Sequence, residues 1–196
     1  MNVLILFAHP AFHKSSVNKL MVEGLQDIKG VTFNDLYQEY PELDIDIKRE
    51  QELLEKHDVI IFQFPFFWYS TPAILKEWED LVLEHGWAFG SKGNALKDKL
   101  FMCSMTVGGP RSAYRIGDFH NHTINQLLSP LRQTAILCKM QPLPPFVVHG
   151  SHSIKKEEVI EHRGQLHQLL DLMINNQFNK ADVEGNEYMN DYLSKL

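Results

Sequence analysis

The chain has 196 residues, 44% of them hydrophobic and 22% charged. That length suits one domain, and the composition can bury a sizeable core, which excludes a disordered chain. With 25 acidic against 19 basic residues the net charge is -6, a balance that gives no support to nucleic-acid binding, which needs a basic surface.

In chain order, Met1-Asn2 runs straight into apolar residues without the charged region and cleavage site of a signal peptide. The apolar run is also too short to span a bilayer, so a soluble cytoplasmic protein is expected. Val3–Phe7 reads as a buried strand bounded by His9-Pro10. Ser15-Ser16-Val17-Asn18 then opens a segment with Leu20, Met21, Leu25 and Ile28 at helical spacing. Residues 31–36 give a shorter second strand, and Ile47–Lys56 a charged helix of modest length carrying Leu53 and Leu54. Residues 59–64 hardly alternate in polarity, as expected of a central strand covered on both faces.

Pro72 suits the first position of the next helix, with Thr71 as its cap. Ile74, Leu75, Trp78, Leu81 and Val82 form one apolar stripe on that helix, opposite Lys76, Glu77, Glu79 and Asp80. Leu100–Thr106 supplies a fourth strand ending at Gly108-Gly109, and a helix is expected within residues 124–137. Phe146–Val148 is a short fifth strand, which Pro142, Pro144 and Pro145 should prevent from extending far backward. Lys156–Ile174 is the last long helix. Cys103 and Cys138 form no disulfide framework and lie in apolar settings, so they read as buried thiols. Five strands alternating with helices make a three-layer, doubly wound α/β domain the economical solution.

In such a sheet, loops at the carboxyl ends of strands one, three and four converge beside the switch point. The first loop offers His9, Ser15, Ser16 and Asn18 ahead of a helix, where amides and side-chain donors can receive a phosphate. The third strand runs into Pro65 and four consecutive rings, Phe66, Phe67, Trp68 and Tyr69. An alternating strand or one helical face could not bury all four together, whereas a flat aromatic cofactor would use them as stacking surface. The fourth ends in Thr106-Val107-Gly108-Gly109, whose glycines permit close backbone approach. Tyr114 and His120 follow as candidates to hydrogen-bond a carbonyl acceptor and deliver a proton. His120-x-His122 lacks complementary Cys, Asp or Glu ligands, so no metal site is expected. The chain has no G-x-G-x-x-G fingerprint, Walker loop, G-x-S-x-G elbow or HExxH helix.

These residues resemble the flavodoxin-like NAD(P)H:quinone oxidoreductases of the DT-diaphorase type. They resemble more closely the short bacterial flavoproteins ancillary to glutathione-gated potassium efflux systems. The resemblance rests on Ala8-His9-Pro10 with Ser16-Val17-Asn18, on Phe62-Gln63-Phe64-Pro65 followed by Trp68-Tyr69 and Pro72 to Trp78, on Gly86-Trp87-Ala88-Phe89-Gly90, and on Thr106 to Gly109 with the spacing of Tyr114 to His120.

The resemblance implies a flavodoxin-like sandwich with a five-stranded parallel sheet in the order 2-1-3-4-5. Residues 1–177 would form the flavin-binding domain, and residues 178–196 a tail packing on the body or on a partner subunit. It implies FMN, with FAD as the alternative, held at its phosphate by His9, Ser16, Val17 and Asn18. Pro65, Phe66, Phe67, Trp68 and Tyr69 would run along the isoalloxazine, and Thr106, Val107, Gly108 and Gly109 along its other edge. Tyr114 and His120 would assist ping-pong hydride transfer from NADH or NADPH to a quinone. It further implies a homodimer, and a potassium-efflux membrane protein as partner, with the chain peripheral to the inner face of the membrane. A regulatory subunit and a flavodoxin-like electron carrier are the alternative functions. Phe67 stands where DT-diaphorase has glutamine, which shifts the expected polar contacts from side chain to backbone. The chain also lacks the long C-terminal extension of the mammalian enzyme.

Overall fold

Five consecutive apolar side chains can all be buried only if both faces of their strand are covered. In the computed structural model, which describes residues 1–196, β1 (Val3–Phe7) sits that way. Val3, Ile5 and Phe7 enter one apolar cluster, and Leu4 and Leu6 enter the other on the opposite face. The same alternation recurs along β3 (Val59–Pro65) and β4 (Leu100–Thr106), the other two central strands. Each fully buried aliphatic side chain of this set contributes roughly 1.5–3 kcal/mol of transfer free energy.

All pairings are parallel, and the strand order is β2-β1-β3-β4 with a fifth position beyond β4, where β2 is Val31–Asp35. This is the flavodoxin-like order 2-1-3-4-5. On one face lie α2 (Leu36–Glu39), α3 (Ile47–Lys56), α4 (Ala73–Val82), α5 (Ile124–Leu127) and α6 (Ser129–Leu137). On the other lie α1 (Ser16–Val22) and α7 (Lys156–Ile174), which presents Val159, Leu166, Leu169, Leu170 and Met173 to the sheet.

Four element boundaries differ from the sequence reading. The fifth sheet position is filled by two segments, β5 (Gln141–Pro142) and β6 (Phe146–Val148), both paired with β4. Pro142 is admitted because this is the sheet edge, where a missing donor costs no ladder bond, while Pro144 and Pro145 interrupt the run. The helix expected within 124–137 breaks at Leu128 into α5 and α6, because Pro130 has no amide hydrogen to donate to Gln126 O, which the Ser129 hydroxyl takes instead. Pro72 is the cap of α4 rather than its first residue, and the Thr71 hydroxyl is buried without a partner. Finally, α1 stops at Val22, and Gly24 turns with φ +81 into a short 3-10 segment at Leu25–Asp27.

A buried carboxylate ties β2, α3, α4 and the cap residue after α2 together. Glu50 is 0% exposed and accepts from Asn34 Nδ2 (3.1 and 3.0 Å), Tyr40 Oη (2.7 Å), Trp78 Nε1 (2.9 Å) and Arg49 Nη1. After α7 the chain returns across the sheet edge through α8 (Met189–Leu193). The Met189 amide donates to Pro145 O at 2.9 Å and the Val147 amide to Asn190 Oδ1 at 2.8 Å, so this segment occupies backbone groups at the edge of β6. Phe178, Val183, Tyr188, Met189 and Leu193 are buried. No helix is long and apolar enough to cross a membrane.

Candidate functional site

In-register pairing brings the carboxyl ends of the central strands level: Phe7 lies beside Gln63, and Pro65 beside Thr106. The loops that leave these ends open onto one cleft of about 570 Å³.

At one end of the cleft, Ser15 caps α1. Its Oγ accepts from the Asn18 amide and from Asn18 Nδ2, both at 3.1 Å. Asn18 Nδ2 also reaches Thr106 Oγ1 at 3.2 Å, which fastens the start of α1 to the end of β4. The cap consumes the third amide of the helix and leaves those of Ser16 and Val17, in its first turn, without a carbonyl one turn back. His9 Nδ1 accepts from the Ala11 amide at 3.1 Å, so the neutral ring carries its proton on Nε2. Burial lowers the pKa of His9 from its ordinary value, which favours that neutral donor form. With Lys14 on the same wall, this end is built to receive an anion.

The opposite wall is the turn after β3. Trp68 and Tyr69 both adopt left-handed backbone geometry, with φ of +49 and +63. Consecutive positive values define a tight turn, closed by the Ser70 amide on Phe67 O at 3.0 Å. For residues with a Cβ this costs roughly 1–2 kcal/mol each, strain of the kind that collects at binding sites. The Phe67 amide donates to Pro65 O, so the turn leaves the Trp68 and Tyr69 amides without a backbone acceptor. Of the four rings only Phe66 is in the core; Phe67, Tyr69 and above all Trp68, 93% exposed, stand outside it. The Phe67 ring meets His9 edge-on at 5.9 Å, joining the two walls.

Tyr114 and His120 form the third side. Their rings stack at 4.1 Å with an interplanar angle of 16°. Tyr69 Oη and His120 Nδ1 are 3.2 Å apart. Tyr114 is 5% exposed, and burial raises its phenol above the ordinary value, which keeps the hydroxyl protonated and able to donate.

His9, Ser16, Val17, Asn18, Pro65 to Tyr69, Thr106, Gly108, Tyr114 and His120 all line this one cleft. Val107 does not: its side chain is buried in the core and its amide donates to Val148 O. Gly109 lies behind the wall, where an added Cβ would come within 3.1 Å of His120 Nε2 and 3.3 Å of Tyr114 Cε2. Gly108 is packed as closely, since a Cβ there would meet His152 Nε2 at 2.7 Å. The cleft also includes Lys14, Ser151 and His152, which sequence reasoning passed over. Ser151 and His152 follow the fifth strand, so the strand-end rule applied to the other loops was the signal that could have found them.

Residues 1–170 match the family model described as Flavodoxin-like fold. The chain belongs to that family. Among flavodoxin-like relatives, an uncharacterized NAD(P)H oxidoreductase, YrkL, of Bacillus subtilis is 43% identical over 159 residues, 81% of this chain and 91% of its own. The glutathione-regulated potassium-efflux system ancillary protein KefG of Cronobacter sakazakii is 41% identical over 160 residues, 82% of this chain and 87% of its own. A general stress protein 14 of Treponema denticola, solved in complex with FMN, superposes with a TM-score of 0.83 at 35% identity, covering 88% of this chain and 99% of that one. An NADPH-quinone reductase structure from P. pentosaceus superposes with a TM-score of 0.78 at 30% identity, covering 86% of this chain and 97% of that one.

Proposed function

We propose that this chain is an FMN-dependent NAD(P)H:quinone oxidoreductase. The observation that carries the reading is the convergence, in one cleft, of an anion-receiving helix start and a strained aromatic turn with unpaired amides. The donor set suits FMN. His9 Nε2 and the Ser16 and Val17 amides would hold the phosphate, while the Trp68 and Tyr69 amides would suit the carbonyl oxygens and ring nitrogens along an isoalloxazine edge. The FMN-bound Treponema relative supports this cofactor over FAD, and the YrkL and P. pentosaceus relatives support the NAD(P)H and quinone half-reactions.

Bound flavin would supply the two-electron chemistry, taking a hydride from the nicotinamide and passing it to a quinone, which gains one further proton to become the hydroquinone. The protein's part is positional and protic. Phe67, Trp68 and Tyr69 present ring surface, and Tyr114, stacked on His120, keeps a protonated hydroxyl in the wall of the cleft. The Tyr69–His120 contact fixes that pair against the aromatic turn. On this reading two chains meet as a homodimer around the exposed turn, and the chain works in the cytoplasm.

The test is anaerobic. FMN-loaded protein mixed with NADH or NADPH should lose the oxidised flavin absorbance, and adding a quinone should restore it. Failure of both nucleotides to bleach the band would end the proposal. A regulatory role on a potassium-efflux protein at the inner membrane face is a second reading, favoured by the Cronobacter relative and compatible with turnover. Co-purification with such a transporter under native conditions supports it, and its absence counts against it.

A further inference from the structure

Arg111 opens the segment that carries Tyr114 and His120, yet it points away from the cleft and toward the C-terminal residues. Its Nη1 and Nη2 bind the two carboxylate oxygens of Asp191 at 2.6 and 2.9 Å, and Nη2 also binds Glu187 Oε2 at 2.6 Å. The guanidinium carbon lies 4.4 Å from the centre of the Tyr188 ring. An isolated surface ion pair is worth little. This one is a bidentate fork with a second carboxylate and an aromatic face, and each component narrows the geometry of the others.

We propose that residues 187–191 are a strap that, through Arg111, positions Tyr114 and His120 over the cleft. The strap is rigid at its far side, because Met189 and Asn190 bond to Pro145 and Val147 at the sheet edge and Tyr188 is 1% exposed. It grips the segment at both ends: Arg111 at the start, and Asn125, whose Nδ2 donates to Glu187 O at 3.1 Å, at the finish. Between those grips the backbone bonds are short turns such as Asp118 N to Arg115 O at 3.2 Å, plus one closure of the loop on itself, His120 N to Ala113 O at 3.0 Å, and Ile116 and Phe119 are 73% and 89% exposed. Those bonds join the loop to itself; its ties to the body are Tyr69 on His120, the buried Tyr114 side chain and the strap. From beneath, a file of rings carries the constraint inward: Tyr188 lies 5.4 Å from His149, His149 5.9 Å from Tyr114, and Tyr114 4.1 Å from His120. The strap lies beyond residue 170, where the family match ends.

The kinetic consequence rests on the redox reading above; the mechanical one does not. Full-length FMN-loaded Arg111→Ala, Arg111→Lys and the double variant Glu187→Gln/Asp191→Asn are compared with the parent. Deuterium exchange in peptides covering 111–123 should rise about tenfold in Arg111→Ala and in the double variant, and less in Arg111→Lys. Peptides from β1 and β3 should be unchanged. The quinone-dependent kcat should fall by a similar factor, while the quinone KM and the FMN Kd stay within about twofold of the parent. If Arg111→Ala does not fold, the double variant, with near-isosteric side chains, gives the same reading. Unchanged exchange across the series overturns the strap, and faster exchange with parental kcat overturns its positioning role. A parent inert toward quinones sinks the redox reading alone, and loop exchange then decides the strap by itself.

Discussion

Glu79 belongs on the polar side of α4 by the helical pattern, yet it is only 8% exposed. It borders a second cavity of about 370 Å³ between the turn after β3 and α6. Lys76, the nearest cation, is occupied by Asp80. Burial raises the Glu79 carboxyl to about 7, with Lys76 opposing the shift and Asp80 adding to it. A carboxyl whose folded pKa exceeds its unfolded value binds more protons when folded, so its contribution to stability is lost as pH rises from about 4.5 to 7. Glu79→Gln should therefore be more stable than the parent at pH 8, by about 1–3 kcal/mol, and nearly equal to it below pH 4.5. Urea unfolding at the two pH values checks this. A variant less stable than the parent at pH 8 would mean that the ionised carboxylate is compensated after all. His149 has the opposite sign: burial lowers it to about 4, so its contribution is lost as pH falls from about 6.5 to 4. The two groups offset each other between about pH 4.5 and 6.5, and the Gln variant should show the steeper acid limb that Glu79 masks.

At the scale of elements, α3 shows what a charged helix can conceal. Glu50 accepts from four side chains, on β2, α3, α4 and the residue that ends α2, so Glu50→Ala leaves buried donors on Asn34, Tyr40 and Trp78 without a partner. The expected loss is about 3–5 kcal/mol, and Glu50→Gln, which keeps the shape and one acceptor, should lose less. A urea midpoint for Glu50→Ala close to that of the parent would show that the hub contributes little. None of this was visible in the sequence, because a Glu in a run of charges looks solvated until the fold brings Trp78 onto it. The central strands were legible for the contrary reason: an unbroken apolar run admits only a position covered on both faces. The three cleft loops were legible because the order of elements fixes which strand ends meet. The rest depended on tertiary context. The prolines near β5 read as a barrier until the segment proved to be an edge, and the left-handed turn at Trp68 and Tyr69 breaks the residue preference for such turns, as strained sites do.

For the molecule as a whole, the distribution of exposed large apolar side chains is uneven. Trp68 stands 93% exposed and Phe119 89%, with Ile116 at 73% and Phe67 and Tyr69 near half, and all five lie in the turn after β3 or the loop carrying His120. Trp68 and Tyr69 keep left-handed backbone geometry while their rings stand outside the core. A second copy of the chain covering these side chains is what the dimeric reading proposed above requires. Large rings remove roughly 150–250 Å² each on burial, so this group is a substantial part of the roughly 800 Å² per partner that a specific interface needs. Sedimentation at micromolar concentration should accordingly give twice the chain mass. Trp68→Ala should weaken self-association by about 2 kcal/mol or more, roughly thirtyfold in Kd, without moving the urea midpoint of the isolated chain, since an exposed ring contributes little to the fold. Tryptophan emission provides an independent signal: dilution from micromolar to nanomolar concentration should shift the parent to the red as Trp68 enters water, and the Trp68→Ala variant should show no such shift. A monomeric mass at micromolar concentration, together with emission that does not change on dilution, would leave the exposed turn to a different partner.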